Sequence, residues 1–200
     1  MSIATLPVVP AEPDARFRFT IEQFWEMYER GFFDGKRVEL VGGEIVAMPA
    51  QSNEHFGTIE EVRDVLAGVF GAGFWVRMQG TLNLAPHGVP DPDIAVVPGD
   101  RESYRGRGNP TTAFLIVEVS VARLAYDRWT KASLYAAAGI QEYWIVNIPD
   151  RQLEIRRNPQ PDSTQDFGFG FGSLTTLKPG DTATPLALPN GVVSVERLFY

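Results

Sequence analysis

Phe114-Leu115-Ile116-Val117-Glu118-Val119-Ser120-Val121 opens a run that continues in Lys131-Ala132-Ser133-Leu134-Tyr135-Ala136-Ala137-Ala138-Gly139. It ends in Glu142-Tyr143-Trp144-Ile145-Val146-Asn147-Ile148. The first piece is apolar and of strand length, as expected of a strand buried on both faces of a sheet. The second is alanine-rich and amphipathic. It predicts a helix over 128–138, closed by a glycine suited to a helix C-terminus. The third piece is again an apolar strand. Strand, crossover helix and strand predict a parallel pair. The fold class is therefore α/β, with a mixed β-sheet flanked by helices.

Glu118 interrupts the most apolar of these strands. A buried charge is costly unless it is paired or holds a cation. A second acid, Asp93, stands in Pro92-Asp93-Ile94-Ala95-Val96-Val97, where another strand is expected. Two convergent carboxylates and a lysine, Lys131, suit a Mg²⁺ or Mn²⁺ site that cleaves phosphodiesters. Lys131 has a plainer alternative, an ion pair with Asp127 one helical turn earlier.

Outward from this centre, Thr20-Ile21-Glu22-Gln23 has the capping-box pattern and starts a first helix that Gly31 stops. Residues 38–40 and 44–48 read as strands around Gly42-Gly43. Ser52 or Asn53 caps a long helix with Ile59, Val62, Leu66, Val69 and Phe70 on one face. A long strand follows over 74–84, then a turn over 85–90, a strand over 93–97 and a polar loop over 98–109. Beyond 148, residues 153–156 read as a hairpin partner and 158–173 as a loop, because of their Pro and Phe-Gly content. An edge strand over 174–177 and a short terminal helix over 194–198 complete the pattern. Residues 1–16 read as an extended arm, and 17–200 as one domain.

The 200 residues suffice for a sizeable core. With no cysteine, thiolate metal sites and a Cys nucleophile are excluded, and two histidines make an all-histidine zinc site improbable. Oxygen ligands and a hard cation remain. No secretory signal and no apolar run long enough for a bilayer stand out, so a cytoplasmic location is expected. The net charge of −7 argues against general nucleic-acid affinity. The charge is uneven, however. Residues 1–100 carry 7 Lys/Arg against 15 Asp/Glu, whereas 101–157 carry 9 against 6. Arg101, Arg105, Arg107, Arg123 and Arg128 belong to this basic segment. They suit either phosphate contacts or a solvated face.

The combined motifs resemble the Uma2-type restriction-endonuclease family of the PD-(D/E)xK nuclease superfamily. They are Pro92-Asp93, Glu118-Val119-Ser120, Asp127-Arg128-Trp129-Thr130-Lys131, Tyr135 and Gly139-Ile140-Gln141-Glu142-Tyr143-Trp144. An earlier match is Val38-Glu39-Leu40-Val41-Gly42-Gly43-Glu44-Ile45, followed by His55. The resemblance implies a restriction-endonuclease-like sheet with additional β-hairpins. It implies a metal-dependent endonuclease with Asp93, Glu118 and Lys131 as catalytic residues. Asp93, Glu118, the Val119 carbonyl and Glu39 would hold Mg²⁺ or Mn²⁺, with Gln79 and His55 in the cleft. The superfamily lysine position two residues after the second acid is Ser120, so Lys131 would supply that charge from the following helix. Ser120-Val121-Ala122 also lacks the family's proline at that turn. Nucleic acid, DNA first, is the implied partner. A homodimer is plausible, with Trp144 or the Phe-rich loop as its apolar contact. The alternative is a noncatalytic nucleic-acid or protein-binding module on a degenerate nuclease scaffold.

Overall fold

A computed structural model describes residues 16–200. The expected N-terminal arm, apart from Arg16, lies outside the described residues. The main sheet has six strands in the order β3-β5-β6-β7-β8-β9. These are β3 (Phe74–Met78), β5 (Ile94–Pro98), β6 (Leu115–Ser120), β7 (Glu142–Asn147), β8 (Gln152–Pro161) and β9 (Phe169–Leu177). β6 and β7 pair in parallel, as the strand–helix–strand reading predicts, and every other neighbouring pair is antiparallel. A second sheet joins β1 (Val38–Val41), β2 (Glu44–Ala47) and β4 (Gly88–Val89) in the order β2-β1-β4. A short ribbon pairs β10 (Thr182–Ala183) with β11 (Val193–Ser194).

Strand side chains alternate between faces, and the main sheet buries both. On one face, Val117, Val119 and Trp144 pack with Ile59, Val62 and Leu66 of helix α2 (Asn53–Phe70). On the other, Ile116, Tyr143 and Ile145 pack with Leu134 and Tyr135. These last two lie on α4 (Ala132–Ala137), the end of a helical segment that starts with α3 (Leu124–Tyr126). Between α3 and α4 the backbone widens into a π-helical turn over Asp127–Lys131. Helix α1 (Ile21–Glu29) carries the full capping box: the Thr20 hydroxyl accepts from the Gln23 N–H, and the Gln23 side chain accepts from the Thr20 N–H. Ile21 and Phe24 of α1 close a smaller core over Leu40 and Val89.

Several expectations change. The strand predicted over 74–84 stops at Met78, because Gln79 turns into positive φ. The loop predicted over 158–173 is largely strand: β8 and β9 form a long hairpin whose register reaches Pro161↔Phe169. The terminal helix is a single 3₁₀ turn, Val195–Leu198. Trp144 is wholly buried, so it is a core residue and no surface contact for a second copy. Among the described residues no helix is long and apolar enough to cross a membrane.

Candidate active site

The ladder between β5 and β6 pairs Ile94 with Val117 and Ala95 with Ile116. One step further along, Asp93 meets Glu118, and both acids point to the face that carries the helical segment. The Asp93 N–H donates to Glu118 Oε2 at 3.2 Å, and the Val119 N–H donates to Asp93 Oδ2 at 2.9 Å. The two carboxylates are thus tied reciprocally to each other's strand. Glu39 arrives from β1. It shares a face with Val41, which packs into the core on this side of the main sheet. Its Oε2 accepts from the Asp91 N–H at 3.3 Å.

Lys131 occupies the centre. Its Nζ donates to Glu39 Oε2 at 2.7 Å and to Glu118 Oε1 at 3.2 Å, and lies 3.4 Å from the Tyr135 hydroxyl. The Tyr135 hydroxyl donates to Glu118 Oε1 at 2.6 Å. Glu39, Asp93, Glu118 and Lys131 are all buried. The surface alternative for Lys131 is therefore not what forms. Lys131 ends the π-turn buried, and its ion pairs are with Glu39 and Glu118; Asp127, at the start of that turn, is buried too and lines the same cavity. His55, in the first turn of α2, reaches round the end of the sheet. Its Nε2 lies 2.8 Å from the Val119 carbonyl oxygen and 3.3 Å from Asp93 Oδ2.

Burial sets the electrostatics. It pushes the Glu118 carboxyl up to about 8, against the pull of the Lys131 ammonium. It raises Asp127 to about 6, with the Ser120 hydroxyl and Lys131 opposing. Burial also works against charge on Lys131, but Glu118 and Glu39 outweigh it and hold the lysine above its ordinary range. The His55 imidazole likewise ends up raised: desolvation opposes its charge, while the Asp93 carboxylate, the Val119 carbonyl and Glu118 favour it.

These residues line a cavity of about 250 Å³, with Arg37, Arg123 and Tyr126 completing its wall. The donor set suits a hard divalent cation. It offers carboxylates and a backbone carbonyl, and Mg²⁺ keeps several waters beside one or two carboxylates. Glu39 Oε1 is buried there without a hydrogen-bond partner. Among the described residues no three His, Asp or Glu side chains converge tightly enough to hold a metal by themselves. The Val119 carbonyl and water are therefore integral to any such centre.

Of the residues singled out in the sequence, Glu39, His55, Asp93, Glu118, Val119 and Lys131 come together in this cavity, and Gln79 does not. Gln79 instead donates its backbone N–H to the Asp93 carbonyl at the end of β3. Its buried side-chain nitrogen has no partner. Tyr135, a motif residue given no site role in the sequence, is fully buried, yet its hydroxyl belongs to the site. The signal was available: Tyr135 follows Lys131 by one helical turn. Arg37 and Tyr126 had no comparable signal, whereas Arg123 belongs to the basic segment singled out for phosphate contacts. Arg128 is engaged elsewhere, bidentate to Glu154.

The family model for Uma2, described as "Putative restriction endonuclease", matches residues 21–194. Among solved structures, the chain is similar to one described as "a putative nuclease belonging to DUF820" from Anabaena variabilis. That match has 15% identity and a TM-score of 0.68, and it covers 90% of this chain and 97% of that one. At that identity the likeness is one of fold. No curated protein matches the sequence.

Proposed function

We propose, from the premise that this chain belongs to the Uma2 family, that it is a divalent-metal-dependent endonuclease. It hydrolyses a phosphodiester bond of nucleic acid, DNA first. The observation that carries this reading is the meeting of Asp93, Glu118, the Val119 carbonyl and Lys131 in one cavity. Asp93, Glu118 and Val119 would hold Mg²⁺ or Mn²⁺, with Glu39 as an outer acid. When bound, such a cation supplies Lewis acidity toward a phosphate oxygen and lowers the pKa of water.

The protein's own residues do the rest. Lys131 places a fixed positive charge beside the carboxylates, where it offsets charge developing on the phosphate. Glu39 and Tyr135 hold its position and that of Glu118. Lys131 thus takes the part of the superfamily lysine whose place in β6 is filled by Ser120. Arg37 and Arg123 at the cavity wall give the substrate backbone local positive contacts on an otherwise acidic protein. Hydrolysis adds the oxygen of water to phosphorus and breaks one phosphorus–ester oxygen bond, whose oxygen leaves with a proton.

Asp93→Asn and Lys131→Ala, each verified as folded, are expected to lose at least about a hundredfold in metal-dependent cleavage. Unchanged cleavage in both folded variants overturns the assignment. Binding of nucleic acid without turnover under Mg²⁺ and Mn²⁺ would favour a noncatalytic module instead.

A further inference from the structure

We propose that a second cavity, beside the first, is a subsite for one unpaired base of the substrate strand, guanine above the others. This rests on the nucleic-acid substrate of the proposed function and adds to it a base that the protein reads. The cavity holds about 280 Å³. That is near the lower end of small-molecule sites, about 300–1,000 Å³, and on the scale of one nucleotide unit rather than a duplex. Trp25 and Tyr28 of α1 wall it, Lys36 and Arg37 stand exposed at its rim, and Asp91 lines it from the segment before β5. Arg37 also lines the cavity of the carboxylates. The Asp91 N–H donates to Glu39 Oε2 at 3.3 Å, and Asp91 precedes Asp93 by two places in the chain. Two residues span at most about 7 Å, so the two cavities lie about one nucleotide apart.

Each part of this lining answers one part of a nucleotide. Trp25 packs edge-to-face on Phe24 at 5.4 Å and on Tyr28 at 5.6 Å, so its ring is held before any ligand arrives. The Trp25 and Tyr28 planes stand 73° apart, so one ring can stack on a base while the other meets its edge. The rim cations suit the neighbouring phosphates. Asp91 supplies the selectivity. Burial raises its carboxyl above the ordinary aspartate range and the Glu39 charge adds to this, against the Thr81 hydroxyl, Arg37 and Lys131. The Thr81 hydroxyl lies beside the carboxylate, but among the described residues no cation pairs with it directly. A part-buried carboxylate in this state gains from any N–H donor brought to it. Guanine presents two adjacent donors, N1–H and the N2 amino group, to the two oxygens of one carboxylate. Adenine and cytosine present an amino group alone, and thymine a single ring N–H. Base pairing occupies these donors, so the base that enters is single-stranded or turned out of a duplex.

The test is binding of end-labelled single-stranded hexanucleotides, read by fluorescence anisotropy with a chelator present so that nothing is cut. The strands are thymine throughout except for guanine, inosine or thymine at one central place. Wild type is expected to prefer guanine to inosine, which lacks the N2 amino group, by about tenfold. Asp91→Asn should abolish that preference. Removing a negative charge tightens binding of every strand, so the guanine-to-inosine ratio is the readout. Tyr28→Ala, at an exposed ring, should weaken all three strands by about fivefold or more. Equal binding of the three strands by wild type overturns the assignment even if a variant fails to fold. So does a guanine preference that survives in folded Asp91→Asn. dGMP that binds as tightly as the guanine strand would put a free nucleotide in the cavity and overturn it as well. A guanine preference without cleavage once Mn²⁺ is restored supports the base site and overturns the endonuclease reading. Strands that wild type does not bind overturn the base site alone, because cleavage in Mn²⁺ tests the endonuclease reading separately.

Discussion

Lys131 is the residue on which the buried charges balance. Its single charge lies between Glu39 and Glu118 inside the protein, where unpaired carboxylates are strongly disfavoured and burial raises Glu118 to about 8. Lys131→Met should therefore cost about 3–5 kcal/mol, read as a lowered midpoint in chemical denaturation. A loss below about 1 kcal/mol would contradict the pairing. Asp127 gives a pH-dependent prediction. Its folded-state pKa of about 6 lies above the ordinary aspartate value. Between about pH 4 and that value the folded chain keeps a proton that the unfolded chain has released, so Asp127 lowers stability as pH rises. Asp127→Asn should match wild type below about pH 4 and become more stable above pH 6, by up to about 3 kcal/mol. Denaturation at a series of pH values checks the sign, and an Asn variant that is less stable at pH 7 contradicts it. At this scale the sequence was informative wherever charge interrupted an apolar strand, as at Glu118. It was easy to under-read where a side chain is both core and polar, as at Tyr135, one helical turn after Lys131. It misled at Gln79, whose strand ends before the side chain reaches the cavity.

The elements explain why some segments were legible and others were not. The β6–α4–β7 unit announces itself because its strands are buried on both faces and so carry near-continuous apolar runs. The β8–β9 hairpin hides because Pro159, Pro161, Gly170 and Gly172 argue against strand. Its geometry resolves the conflict. β7 pairs with β8 only as far as Glu142↔Arg157, so Pro159 and Pro161 sit where β8 has a free edge and need donate no hydrogen bond on that side. The π-turn is invisible to helical periodicity, yet it spans Asp127 to Lys131, both of which are buried and line the cavity. The small sheet depends on a close approach at Gly88, where a Cβ would stand 2.3 Å from the Leu40 carbonyl oxygen. Gly88→Ala should force β4 away from β1, cost about 1–3 kcal/mol, and disturb the strand that carries Glu39. A variant with wild-type stability would show that this approach relaxes freely.

At the scale of the whole molecule, the site exists because five separate pieces of chain meet at one end of the main sheet. β5 and β6 bring the acids together, and β1 adds Glu39. The π-turn delivers Lys131 from one face, while α2 sends His55 round from the other. The order of acids and lysine could be read from the sequence, but this meeting point could not, because it depends on sheet order and on the small sheet's placement. The acidic net charge follows the same division. Arg128, Arg156 and Arg157 of the basic segment are engaged with Glu154 and Glu142. Arg37 and Arg123 line the cavity. A covalently closed circular DNA offers no end to an exonuclease, so its cleavage is the most direct measure of the proposed activity. Wild type with Mn²⁺ should convert the circle to nicked and linear forms, chelation should stop the reaction, and folded Asp93→Asn should leave the circle intact. A circle cut equally well by folded Asp93→Asn, or cut with all metal chelated, would contradict the account.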